Sequence, residues 1–261
     1  MLGFLRKTRP VFVFGAQRSG TTICQRIFLN SRQVEMFTEG NRAAMTAHYR
    51  LRDDDGIRRL IRRSRRAVTL FKPLLDSQWA DRCLETFDGA RAIWIYRDPA
   101  DTANSAVAKW GDSQRQMITL IGKTLAEVGT SEAAVEALRD RPGFATCSER
   151  LSEPTIAQLI EWGALELDPY SGAAAMWWLR NQFFRCLGRD PRVLTVRYES
   201  LVSDPAAETA RMCEHMGIRY DDALIAEVHA RSIGRRPQPD IEPSVARACA
   251  TLKTELDSVT G

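Results

Sequence analysis

The chain has 261 residues, 44% hydrophobic and 27% charged, enough to bury a full core as one α/β domain without a second. A net charge of +4 is too mild to mark a nucleic-acid binder. Only five of the 37 basic residues are lysine, a bias that suits phosphate and sulfate recognition but that coding composition would also produce.

Val11 to Phe14 are four apolar, β-favouring residues and predict a buried strand of a parallel sheet. Gly15 to Gly20 form a tight loop, and Thr21 and Thr22 open a helix with Ile23, Ile27 and Phe28 at helical spacing. Strand, glycine-bounded loop and helix N-terminus make an anion site, because loop N–H groups and the positive end of the helix dipole converge there. The frame is that of a P-loop with Thr21 where the loop lysine belongs, and the cation sits inside the loop at Arg18. A triphosphate needs that lysine for its β and γ phosphates. A single 5′ phosphoryl or phosphosulfate group does not.

Further along, Val34 to Gly40 leads into a predicted helix from about Asn41 to Arg52. Asp53 to Gly56 starts the next helix, in which Ile57, Leu60, Ile61 and Val68 share a face and six arginines from Arg58 to Arg66 cover the rest as a solvated surface. Thr69 to Pro73 reads as a short strand, Ser77 to Phe87 as a helix, and Ala92 to Tyr96 as a second strongly apolar strand running into Arg97-Asp98-Pro99. A helix follows from about Asp101, with Pro99 just outside its start. Residues 110 to 172 are mainly helical and form an insertion. Ser171 to Leu187 carries Met176, Trp177, Phe183 and Phe184 as core. Arg192 to Tyr198 is the last strand, followed by helices over Pro205 to Met216 and Asp221 to Ala230, a Pro-rich loop from Gly234 to Pro243 and a final helix.

Strands alternating with helices predict an α/β, P-loop-type domain with a central parallel sheet covered on both faces. In such a sheet ligands sit at the carboxyl ends of the strands, so Arg18, Lys72, Arg97 and Tyr198 should gather at one edge. The six cysteines (Cys24, Cys83, Cys147, Cys186, Cys213 and Cys249) are scattered, with no metal-ligand spacing, and are expected as buried reduced thiols without zinc or disulfides. No signal peptide or membrane span is expected, and the protein is expected in the cytoplasm.

FVFGAQRSGTT resembles the phosphosulfate loop of sulfotransferases that use 3′-phosphoadenosine 5′-phosphosulfate (PAPS), in the Arg-Ser-Gly-Thr-Thr form of the carbohydrate and tyrosylprotein branches. IWIYRDPADTANS resembles that family's second motif and VLTVRYESLVSDP its third common segment. The three occur in family order between Val11 and Pro205. The resemblance implies sulfuryl transfer to a hydroxyl of a saccharide, tyrosyl group or small metabolite, releasing adenosine 3′,5′-bisphosphate without a metal. The 5′-phosphosulfate would lie on Arg18, Ser19, Gly20, Thr21 and Thr22. Arg97, Ser105 and Lys109 would hold the 3′-phosphate, and Tyr198 would contact the nucleotide. Arg18 would also act in catalysis with Lys72. Glu39 would be the base, with His48 in reserve and Glu35 behind it. Ser232 to Arg236 would cover the adenosine, and the 110–172 insertion would shape the acceptor side. Two other readings remain: a P-loop nucleotide kinase, which magnesium-dependent ATP binding would favour, and a non-catalytic nucleotide-binding module, which predicts no turnover.

Overall fold

The computed structural model describes residues 8–226, 228 and 236–260. Five parallel strands, β1 (Arg9–Phe14), β2 (Val34–Phe37), β3 (Val68–Phe71), β4 (Arg91–Tyr96) and β5 (Val193–Arg197), form one sheet in the order β2-β3-β1-β4-β5. Strand order reverses about β1, so the chain leaves β1 at the crevice where open parallel sheets bind ligands.

The pleat divides two cores. Phe12 and Phe14 of β1 and Ala92, Trp94 and Tyr96 of β4 face one, whereas Val11, Val13, Ile93 and Ile95 face the other. The second core is closed by α1 (Thr21–Leu29), through Cys24, Ile27 and Phe28, and by α11 (Pro205–Met216). The first is closed by α2 (Asp54–Arg63), α3 (Ala80–Thr86), α4 (Pro99–Trp110), α5 (Ser113–Val128), α8 (Glu153–Ala164), α9 (Pro169–Gln182) and α12 (Pro243–Asp257). Short helices α6 (Ser131–Ala137), α7 (Pro142–Cys147) and α10 (Tyr198–Ser203) complete the set. The predicted single α/β domain with helices on both faces is the observed one. Each fully buried Phe, Leu or Ile contributes roughly 1.5–3 kcal/mol. Met176, Trp177, Phe183 and Phe184 are buried as expected.

Several elements differ from expectation. The segment from Asn41 to Arg52 is a set of turns with a Met45–Leu51 bridge, not a helix. Its irregular path is fixed by Arg50, which pairs with Asp76 and reaches both carboxylate oxygens of Glu149 at 2.9 and 3.0 Å. α2 ends at Arg63, and Val68 opens β3 instead of continuing the helix face. Arg58 is not simply solvated, since it stacks 5.8 Å from the Phe87 ring and pairs with Asp55. The predicted Ser77–Phe87 helix begins earlier as a 3₁₀ helix, Leu74–Trp79. Only Asp222–Ile225 of the predicted 221–230 helix is helical among the described residues. All six cysteines are free, but Cys186 is exposed where a buried thiol was expected. Among the described residues no helix is long and apolar enough to cross a membrane.

Candidate active site

The loop between β1 and α1 is set by close approach. Gly15 lies at φ +132°, where a Cβ would stand 2.0 Å from the Ile95 carbonyl oxygen, so only glycine lets the chain turn this near β4. Ser77 Oγ braces the turn, accepting from the Gly15 N–H at 3.3 Å. Arg18 takes φ +69°, and Gly20, at φ +98°, precedes α1 without a side-chain cap. No acidic residue occupies the first turn of α1, so its orphan N–H groups face the loop unneutralised. Ser19 is fully buried, and its Oγ has no hydrogen-bond partner among the described residues. Buried hydroxyls are normally paired, so this loop fits an anionic ligand that would accept from it. Thr21 is buried and Thr22 exposed at the same helix end.

Because the strands are parallel, Glu39 after β2, Lys72 after β3, Arg97 after β4 and Tyr198 after β5 all reach this edge. The Lys72 N–H donates to the Phe37 carbonyl at 3.0 Å, extending the β2–β3 pairing beyond the strands. That extension brings Glu39 Oε1 within 3.2 Å of Lys72 Nζ, and the lysine is 3% exposed. Lys72 also donates to Gln25 Oε1 of α1 at 3.1 Å. Cys24 lies near enough to feel that ammonium. Burial nevertheless pushes its thiol up to about 12, with the Lys72 charge opposing, so it stays protonated.

On the other side of β1, Arg97 is buried, stacks 4.6 Å from the Tyr198 ring centroid and pairs with Asp101 at 3.1 Å. Asp98 caps α4 by accepting from the Ala100 and Asp101 N–H groups instead of pairing with Arg97. Tyr198 opens α10 rather than ending β5, and its ring lies against the loop: a Cβ on Gly20 would be 2.2 Å from Tyr198 Cδ2. One aromatic ring thus touches both the loop and Arg97. Ser105, expected beside Arg97, accepts instead from Arg18 Nε at 3.1 Å, while the Arg18 guanidinium lies 5.9 Å from the Trp110 ring. Lys109 is exposed one turn beyond Ser105 on α4.

The other candidate bases are placed differently. Glu35 lies within β2 and His48 is exposed on the irregular 41–52 segment, whereas Glu39 follows the strand at the ligand edge. His215 bonds the Ala92 carbonyl at the opposite end of β4, and His229 lies outside the described residues. Of the expected adenosine cover, Ser232 to Arg235 lie outside the described residues, and Arg236 donates to the Asn104 carbonyl at 3.1 Å. Sequence reasoning did not single out Gln25, Asp101 or Trp110. Their signals were present but weak: Asp101 is four residues after Arg97, and Gln25 four after Thr21.

A groove of about 600 Å³ between α2 and α3 is lined by Arg50, Asp53, Asp76, Trp79, Arg82 and Phe87 and shares no residue with this site. Its floor is the Arg50 network. Burial raises Asp76, with Arg50 opposing. At Glu149 burial is outweighed by hydrogen bonds from Arg50, Gln78 and Trp79, which hold the carboxyl below its ordinary range.

A family model described as the sulfotransferase domain matches residues 8–234. The sulfotransferase domain from the Synechococcus PCC 7002 olefin synthase is 15% identical, with 95% of each chain covered and a TM-score of 0.53. The sulfotransferase domain from the curacin biosynthetic pathway is 13% identical, covering 95% of this chain and 98% of that one, also at 0.53. At such identities these two show likeness of fold. A search of curated proteins finds no match.

Proposed function

This chain belongs to the sulfotransferase domain family, and from that premise we propose that it transfers a sulfuryl group from PAPS to an acceptor hydroxyl, releasing adenosine 3′,5′-bisphosphate. The observation that carries the donor assignment is the Tyr198 ring, packed against Gly20 and beneath Arg97. It ties the phosphosulfate loop to a second cation, as a donor charged at both ends requires. Ser19, Gly20, Thr21 and Thr22 would cradle the 5′ end. Arg97, Ser105 and Lys109 would take the 3′-phosphate, which would share Arg97 with Asp101.

The reaction needs positioning and charge more than covalent help. The acceptor oxygen attacks sulfur in line as its proton passes to the Glu39 carboxylate. The bond between sulfur and the bridging oxygen breaks, and its electron pair stays on the 5′-phosphate of the product. Arg18 meets the charge growing on that oxygen, and Lys72 steadies the sulfuryl oxygens. The 3.2 Å contact between Lys72 and Glu39 supports this division, since base and cation must flank one reacting group. Helices from 110 to 172 would shape the acceptor side of the single domain. A cytoplasmic location belongs to the same reading, in keeping with six free cysteines.

The test is calorimetric titration with adenosine 3′,5′-bisphosphate, comparing wild type with Arg97→Ala. The wild type should bind and the variant bind at least tenfold more weakly, the loss of a charged contact of about 1.5–3 kcal/mol. Negligible binding by both rejects the assignment. Labelled PAPS with a panel of hydroxylated acceptors then identifies the acceptor class.

A further inference from the structure

Lys72 carries an ammonium into a site nearly closed to water. Among the described residues two groups hold its Nζ: the Glu39 carboxylate and the side-chain oxygen of Gln25, at 3.2 and 3.1 Å. An ammonium has three protons, so these contacts leave one for a bound anion. Gln25 stands one turn beyond Thr21, on the same side of α1. It therefore fixes Lys72 to the helix that closes the anion loop, and not to the sheet alone.

We infer that Gln25 is a positioning residue for Lys72, holding the ammonium in place while Glu39 changes charge during transfer. The inference rests on the reading of the preceding section. Before transfer, the Glu39 carboxylate balances Lys72. Once Glu39 has taken the acceptor proton it is neutral, and Lys72 loses its counter-charge where little water can replace it. The amide oxygen of Gln25 does not titrate, so one N–H bond persists and the ammonium stays aimed at the transferring group. The residue type matters. A carboxylate at position 25 would grip Lys72 harder and cancel the charge that the sulfuryl oxygens need.

The test compares Gln25→Leu, Gln25→Glu, Lys72→Ala and the Gln25→Leu/Lys72→Ala double variant, reading release of adenosine 3′,5′-bisphosphate from PAPS in the presence of the acceptor panel. Gln25→Leu should lower kcat about tenfold while KM for PAPS stays within about twofold, the signature of an interaction used in the transition state. Gln25→Glu should lower kcat at least as much with Tm unchanged or raised, which a merely structural tether would not do. In the Lys72→Ala background, Gln25→Leu should cost nothing further, because its effect passes through the ammonium. Additive losses, or wild-type kcat in Gln25→Glu, overturn the inference. Should Gln25→Leu fail to fold, Gln25→Asn, one methylene shorter and out of reach of Nζ, carries the same kcat expectation. An active wild type with unaffected Gln25 variants refutes this inference alone; a wild type that turns over no PAPS refutes the sulfotransferase reading and this inference with it.

Discussion

Arg18 donates its Nε proton to Ser105 Oγ at 3.1 Å, joining the anion loop to α4 across 87 residues of sequence. The left-handed backbone at Arg18 and the Trp110 ring beside its guanidinium set that direction. In the proposed complex the same hydroxyl serves the 3′-phosphate, so one serine stands between the two charged ends of the nucleotide. Ser105→Ala should weaken adenosine 3′,5′-bisphosphate binding about tenfold, the scale of one hydrogen bond to a charged group. Tm should hardly move, because Arg18 is exposed. Calorimetry and a thermal melt check both, and an unchanged Kd removes Ser105 from the site.

Gly20→Ala should destabilise the fold and impair nucleotide binding together. A methyl group there would overlap the Tyr198 ring, and a left-handed φ of +98° disfavours any side chain. Overpacking of this kind costs about 1–3 kcal/mol. Tyr198→Ala should cost less Tm in the Gly20→Ala background than in the wild type, because it also removes the overlap, though not the backbone strain. A double variant less stable than the sum of the two single losses would show that the ring contact is not the cause.

The strands and the loop were legible because their signals are local. Val11 to Phe14 and Ala92 to Tyr96 are apolar enough to be buried on both faces, and Gly15 and Gly20 bracket the turn between β1 and α1. The 41–52 segment was not legible, because what shapes it is distant. Arg50 is held by Asp76 and Glu149, 26 and 99 residues away, and no periodicity encodes such pairings. Tyr198 reads as the end of a strand because β-favouring residues precede it. Its contacts with Gly20 and Arg97 instead suit a helix start. The partnership of Lys72 with Gln25 joins α1 to β3 and could be seen only once both were placed.

His215 makes the fold acid-sensitive. Burial, reinforced by the Arg91 charge, lowers its imidazole from 6.5 to about 4, and it contacts the Ala92 carbonyl at 3.0 Å. The unfolded chain therefore binds the proton first as pH falls. This group's stabilisation is complete above pH 6.5 and is lost progressively down to about pH 4. Urea denaturation at pH 7.5, 5.5 and 4.5 should show midpoints falling across that window. His215→Gln should flatten the slope between pH 6.5 and 4.5, and an unchanged slope would show that His215 is not the source of the acid response.

Gly122 gives a prediction in which two physical rules disagree in sign. It lies inside α5, where replacing glycine by alanine ordinarily favours the helix by about 1 kcal/mol. Here α5 crosses α8 with backbones in contact: a Cβ on Gly122 would stand 2.2 Å from the Leu159 carbonyl oxygen and 2.7 Å from Gly163 Cα. Neither is the end of a flexible side chain, so the helices themselves would have to separate, and interiors this dense resist that. Gly122→Ala should therefore lower stability by about 1–3 kcal/mol, against the direction that propensity gives. Gly143→Ala in α7 is the matched control, because its added methyl would meet only Met117 Cε, at 3.8 Å. Gly143→Ala should leave the urea midpoint nearly unchanged or slightly raised. If Gly122→Ala instead stabilises the protein, the close crossing of α5 and α8 is not what holds the 110–172 helices in place.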